Sequence, residues 1–266
     1  MKKSVAIVLF FAFLIRLIFS TMIHPIGDYI FSDSLTYWNL SNELFIGRHD
    51  LFNIFYPPGY PLFISLVRNL FGNKHIFIWL GIIQSILGTL TIYFVLKISQ
   101  LVLDKKRSFF LLFLLTIYYP LVDYTGYLMS ETLATFLLSF TLHCLLVKNN
   151  YPLSVFGTLL TILVRSNLSL TLLPLLFIST KKGNLSHRFL AIIFILIVGG
   201  SINFLLSGKF SVTSLNGGLN FMQGQCLIGH SNDSTGRAFG PPVYMQRNIN
   251  STRYFPTPFT NSNYFY

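Results

Sequence analysis

The sequence predicts an all-α polytopic membrane protein, and three observations carry that prediction. The chain is 53% hydrophobic and only 10% charged. Soluble domains carry about a quarter charged residues, so this chain lacks the polar side chains to cover a globule of its 266 residues, and its mean hydropathy is +0.62. Apolar runs near the roughly twenty residues of a bilayer crossing recur along its length. Between them, Lys and Arg fall in short clusters, the pattern that marks a cytoplasmic face. The net charge of +11 therefore reads as topology, and nucleic acid is excluded as a partner. Cys144, in an apolar run, and Cys226 give neither zinc spacing nor a disulfide framework.

The first run, Ser4–Ile23, follows Lys2 and Lys3, which places the N-terminus in the cytoplasm. A signal peptide begins the same way, but no small-x-small cleavage site follows and Arg16 interrupts the run. An uncleaved first helix is expected. Residues 24–75 form a polar external loop with interfacial helices. In "SDSLTYWNLSNELF", Ser32 or Asp33 offers an N-cap to an amphipathic run through Leu35, Trp38, Leu40 and Phe45. "YPPGYPLF" then makes a rigid turn, with proline fixing φ and Gly59 permitting the bend. Leu62–Gly72 is too short to cross and contains Arg68, so it reads as a juxtamembrane or partly inserted helix.

Ile76–Leu103 spans and ends in the basic "DKKR" of Asp104–Arg107. Ser108–Val122 returns outward, Asp123–Glu131 turns outside, and Thr132–Val147 goes back to Lys148. "YPLSVFGTLLTILV" and "LSLTLLPLLFIS" form a hairpin of short helices with Arg165–Asn167 at its outer tip. "KKGNLSHR" is cytoplasmic, and Phe189–Leu206 exits again. This gives about seven transmembrane helices in residues 1–206, with residues 207–266 external.

In this topology every acid except Asp104 lies outside: Asp28, Asp33, Glu43, Asp50, Asp123, Glu131 and Asp233. The positive-inside rule concerns Lys and Arg, and acids contribute little to it. The clustering therefore points to an outward-facing polar site. Arg48, Arg68, Lys74 and Arg165 accompany the acids. Arg165 caps a hairpin that Gly and Asn would build more easily, although an arginine there also suits snorkelling to headgroups. Arg16, inside the first span, fits a structural ion pair as well as a site.

Five segments in order carry a family resemblance: "SDSLTYWNLSNEL", "YPPGYPLFISLVRNLFG", "YLMSETLATFLLS", "LTILVRSNLSLTLLPLLF" and "GKFSVTSLNGGLNFMQGQ". Together they resemble the N-terminal half of the GT-C membrane glycosyltransferases, the group of protein O-mannosyltransferases and lipid A aminoarabinose or galacturonic acid transferases. The resemblance implies a GT-C-like helical bundle in the cytoplasmic (inner) membrane, acting in cell-envelope glycosylation. Such an enzyme takes a sugar from a polyprenyl-phosphate carrier and passes it to a lipid, glycan or protein acceptor on the external face. Asp33 matches the family's loop acid, a base toward the acceptor or a ligand to a divalent metal, the one cofactor implied. Ser34 stands where many relatives have a second acid. Glu131 matches the acid opening the helix after the second loop and is expected to be catalytic. Tyr37, Tyr60, Arg68 and Arg165 are expected to bind substrate, with Arg165 toward the carrier phosphate.

GT-C chains continue with further spans, so the resemblance also admits an inactive fragment or a partner subunit. A flippase for lipid-linked sugar is the alternative from another class. Broken helices and an intramembrane arginine suit it, whereas the absence of an inverted repeat and the one-sided acids do not.

Overall fold

The apolar runs fold as helices, and no strand occurs among the described residues. The structure, a computed structural model, describes residues 2–46, 56–177, 185–208 and 210–212. Two compact units divide the chain: Met1–Phe52 with Pro57–Thr213, and Asn53–Tyr56 with Ser214–Tyr266. Of the second unit only Tyr56 is described. Arg48, Asp50, Cys226, Asp233 and the external tail expected at 207–266, beyond residue 212, lie outside the described residues.

The first helix, α1 (Lys2–Ile18), runs on through a π-helical turn at Phe19–Ile23. The α2 helix covers Asp33–Phe45 and α3 covers Gly59–Phe71. The long α4 (Ile76–Ser99) follows, then α5 (Lys105–Ile117) and α6 (Tyr119–Asp123), bent 58° from each other. Helix α7 (Glu131–Leu142) ends in a π turn at His143–Val147, and α8 spans Tyr151–Val164. A 3₁₀ segment at Ser166–Thr171 leads to α9 (Leu172–Phe177), and α10 is Leu185–Ser207.

Among the described residues, three helical segments are long and apolar enough to cross a bilayer: Lys3–Ile23, Ile76–Ser99 and Leu185–Leu206. The bent α5–α6 pair makes a fourth if it counts as one span. Glu131–Val147, Tyr151–Val164 and Ser166–Phe177 fall short of the roughly twenty residues required. By length and composition, then, three or four of the expected seven spans are supported among the described residues, and the other three are not confirmed. The chain is a helical protein with several membrane-capable helices.

Helix α4 is the hub: 44% of its span is buried, against 17% for α1 and 22% for α10. Small residues two turns apart let α1 approach it closely. A Cβ on Gly81 would meet Ser20 Oγ at 3.1 Å, and one on Gly88 would meet Arg16 Nε at 3.0 Å. Ala12, Ile92, Leu96 and Leu112 form the core among α1, α4 and α5. A second core, around Leu145, Leu159, Leu163, Leu175 and Ile195, joins the later helices.

The running directions sort the charges. Ser20 meets Gly81 while Ala12 meets Ile92 and Leu96, so α1 and α4 are antiparallel. One pole of the bundle therefore gathers Lys3, Lys97, Lys105, Lys106, Arg107 and Lys148. Its single acid among the described residues is Asp104, which accepts the Arg107 N–H at 2.8 Å and caps α5. The opposite pole holds Asp28, Asp33, Asp123 and Glu131 together with Lys74 and Arg165.

Arg16 has a specific structural task. It is fully buried and donates to the carbonyls of Ala12 (3.0 Å), Thr116 (3.3 Å) and Leu115 (3.2 Å). The helical partner of the Thr116 carbonyl would be the N–H of residue 120, and residue 120 is a proline with none to give. Leu115 and Thr116 lie in the last turn of α5, where carbonyls lack intrahelical donors. The arginine therefore caps the broken span; its partners are carbonyls, not the carboxylate of an ion pair. Arg188 repeats the device, donating to the Leu176 carbonyl at the end of α9 at 3.2 Å.

The interfacial segment departs from expectation in two places. Ser32 occupies the N-cap position of α2 at φ 51°, but no side-chain cap bond forms. The buried face of α2 is Ser34, Tyr37, Leu40, Ser41 and Leu44, leaving Leu35 exposed. The proline-rich stretch is also less of a turn than expected, because Gly59, Tyr60 and Pro61 form the first turn of α3. Gly59 is required for proximity, since a Cβ there would lie 2.7 Å from the backbone of Leu163 and Val164. Beyond it, α3 buries Tyr60, Ile64, Val67 and Arg68 and exposes Leu62, Leu66 and Leu70 at four-residue spacing. That stripe suits a helix lying in the membrane interface.

Replacing Arg16 with Leu should remove the donors to Leu115 and Thr116 and destabilise the bundle by about 2–3 kcal/mol. Thermal unfolding in detergent measures this, and an unchanged midpoint would contradict the capping role.

Candidate functional site

The site is assembled where the interfacial helices sit on the membrane bundle. Asp33 and Tyr37 lie one turn apart on α2, hence on one face. Tyr60 comes from the first turn of α3, which Gly59 seats directly against the end of α8. Ser130 and Glu131 open α7, and Arg165 is the residue at which α8 stops.

At its centre is an ion pair, with Arg165 Nη1 2.6 Å from Glu131 Oε1. The two side chains are 36% and 21% exposed, so water reaches both. Glu131 stands in the first turn of α7, where the helix dipole favours a negative charge. Tyr37 shares a hydrogen bond with the side chain of Ser130 and packs edge-on against Tyr60, with ring centres 5.1 Å apart. Burial raises the pKa of the Tyr37 phenol. The bond to Ser130 lowers it, the charges of Glu131 and Asp33 raise it, and that of Arg165 lowers it. Both carboxylates and the guanidinium therefore act on one phenol.

Behind this surface lies a buried polar relay. The Tyr60 hydroxyl donates to Gln84 Oε1 at 3.2 Å, and Gln84 Nε2 donates to the carbonyls of Thr125 (3.2 Å) and Tyr127 (3.0 Å). Tyr60 and Gln84 are both 0% exposed. Burial, followed by the charges of Tyr37 and Glu131, pushes the Tyr60 pKa well up and keeps it a neutral donor. The Thr132 hydroxyl donates to the Tyr124 carbonyl at 2.9 Å and ties the start of α7 to the same turn. Below Glu131, a small crevice runs between α4, α6 and α7, lined by Gly88, Thr91, Pro120, Leu121, Tyr124, Thr132 and Thr135.

The structure thus joins Glu131 to Arg165 and sets Tyr37 beside them, with Asp33 one turn away on the same face of α2 and its charge acting on the Tyr37 phenol. It corrects Tyr60 and Arg68. Tyr60 is sealed beneath Tyr37 and holds Gln84, so it supports the site and cannot touch a ligand. Arg68 lies two turns further along α3, over the rings of Trp38 (4.7 Å) and Phe45 (4.5 Å). There it donates to Asn73 at 2.9 Å and to Asn42, pinning α2 to α3; burial lowers its pKa. The sequence reading missed Gln84 and Ser130. The signal for Gln84 was its position as a lone amide inside a 24-residue apolar helix, where polar groups carry specific roles.

No three His, Cys, Asp or Glu side chains converge as a metal cage among the described residues. Among the described residues the site's carboxylates are Asp33 and Glu131, and Glu131 directs one oxygen to Arg165.

The relay predicts an order of stabilities. Tyr60→Phe removes one buried donor and should cost about 1 kcal/mol, whereas Gln84→Leu strands a hydroxyl and two carbonyls and should cost about 2–4 kcal/mol. Unfolding of both variants in detergent checks the order, and equal midpoints would contradict the relay. No protein-family model, curated protein or solved structure matches this chain, so the reading of the site rests on its residues and their geometry.

Proposed function

We propose that the chain is a GT-C-type membrane glycosyltransferase, which moves a sugar from a polyprenyl-phosphate carrier to an acceptor on the external face of the membrane. The observation that carries this is the convergence of Asp33 and Glu131 with Arg165 at the acid-bearing pole of a membrane bundle. The positive-inside rule assigns the opposite, Lys-rich pole to the cytoplasm. The active pole then faces outward, where the lipid carrier presents its sugar.

The chemistry asks for two groups. An acceptor hydroxyl attacks the anomeric carbon while the bond from that carbon to the phosphate oxygen breaks. Asp33 takes the hydroxyl proton, and the departing phosphate keeps the bonding electrons. A cation at Arg165 stabilises the charge growing on that phosphate. The flippase reading loses its strongest feature, since Arg16 is taken up by backbone carbonyls and the acids gather at one pole, away from the midplane.

Purified full chain given labelled polyprenyl-phosphate sugar and membrane acceptors tests the proposal. Asp33→Asn should lower single-turnover transfer by about 10²–10⁴-fold with carrier affinity nearly unchanged. Arg165→Ala should weaken carrier binding and slow transfer. Wild-type transfer in Asp33→Asn removes that carboxylate from the reaction, and labelled carrier crossing the bilayer intact would identify a flippase instead.

A further inference from the structure

We infer that Glu131 is a built-in, displaceable stand-in for the substrate phosphate: it occupies Arg165 in the empty site and gives way when the phosphate binds. The inference rests on the reading of Arg165 as the phosphate cation. The geometry and charge around the pair carry it further.

The pair meets at Nη1 and Oε1, 2.6 Å apart. A guanidinium presents five N–H donors in a planar fork, more than one carboxylate's two oxygens engage, so donors remain for a second anion. Both side chains are partly exposed, and ion pairs of that kind are weak enough to exchange.

Glu131 also has somewhere to remain ionised once displaced. It sits in the first turn of the twelve-residue α7, whose dipole favours a carboxylate there. The scaffold around the pair is fixed independently of it. Thr132 is bonded to the Tyr124 carbonyl, Thr135 to the carbonyls of Glu131 and Thr132, and the Arg165 N–H to the Thr161 carbonyl. The exchange therefore moves two side chains and no helix.

The electrostatics supply the reason for such a device. With Asp33 and Glu131 both acting on the space that Arg165 serves, the cluster carries two negative charges to one positive. An unmasked guanidinium at a membrane surface would take up any phosphate headgroup in the leaflet. A tethered carboxylate makes weak phosphates compete and admits only a ligand with additional contacts.

The test is equilibrium binding to the full chain in lipid nanodiscs, with a water-soluble short-chain isoprenyl phosphate and inorganic phosphate as separate probes. Glu131→Gln should bind the isoprenyl phosphate about fivefold tighter than wild type, the scale of a partly exposed ion pair. Glu131→Asp, which retracts the carboxylate by one methylene but keeps its charge, should tighten it about twofold. Adding Arg165→Ala to Glu131→Gln should abolish the gain. Tightening with either probe supports the exchange: a gain with isoprenyl phosphate alone identifies a lipid headgroup, and an equal gain with inorganic phosphate identifies a bare phosphate site. Weaker or unchanged binding in both Glu131 variants, with Arg165→Ala still defective, overturns the stand-in role and leaves the phosphate reading intact. Wild-type affinity in Arg165→Ala alone overturns the phosphate reading itself.

Discussion

The constraint on which this structure depends is the carbonyl of Thr116. Inside hydrocarbon a backbone oxygen without a donor costs several kcal/mol, and Pro120 removes the donor that a continuous helix would supply. Arg16 supplies it from another helix. With that carbonyl satisfied, the chain can bend 58° between α5 and α6 and fold Tyr124–Gly126 back over α4. Arg16 in turn needs Gly88, because a side chain on α4 at that position would meet the guanidinium. The arginine, the glycine and the proline are one device, and each would be costly alone.

The bend has consequences at the acid-bearing pole. It delivers the carbonyls of Thr125 and Tyr127 to Gln84, which fixes Tyr60. Tyr60 supports Tyr37, and Tyr37 is bonded to Ser130 at the start of α7. On the far side, Gly59 lets α3 rest on the backbone where α8 ends, so Arg165 emerges beside Glu131. The charged groups are thus held by neutral ones. The buried relay is satisfied throughout, and the ion pair at its surface is left with water access and the freedom to exchange.

Much of this was legible in the sequence because membrane constraints are written in composition. Apolar runs marked the helices, and Lys and Arg clusters separated the two poles. Asp33 and Tyr37 were singled out through the family resemblance, and the helix of α2 shows that they share a face. Other features were hidden because they depend on what lies opposite. Gly59 looked like a hinge, but only the backbone of Leu163 and Val164 shows that it is a point of close approach. Tyr60 and Arg68 had the chemistry of ligand-binding residues, and burial and ring stacking assigned them to support. Arg16 invited a search for an acid, since a sequence does not show that a proline on another helix has freed a carbonyl. The short helices α7, α8 and α9 read as spans only if buried short helices cross, and their lengths do not confirm that.

The central claim is that the carboxylates and Arg165 share the pole facing away from the cytoplasm, opposite the lysines of α5. Thiol labelling in intact cells tests it most directly, with Cys144 and Cys226 replaced and one cysteine introduced at a time. Lys74→Cys, exposed at the acid-bearing pole, should react with a membrane-impermeant maleimide. Lys105→Cys, exposed at the start of α5, should react only after the cells are permeabilised. Labelling of Lys105→Cys in intact cells, with Lys74→Cys protected, would contradict the account.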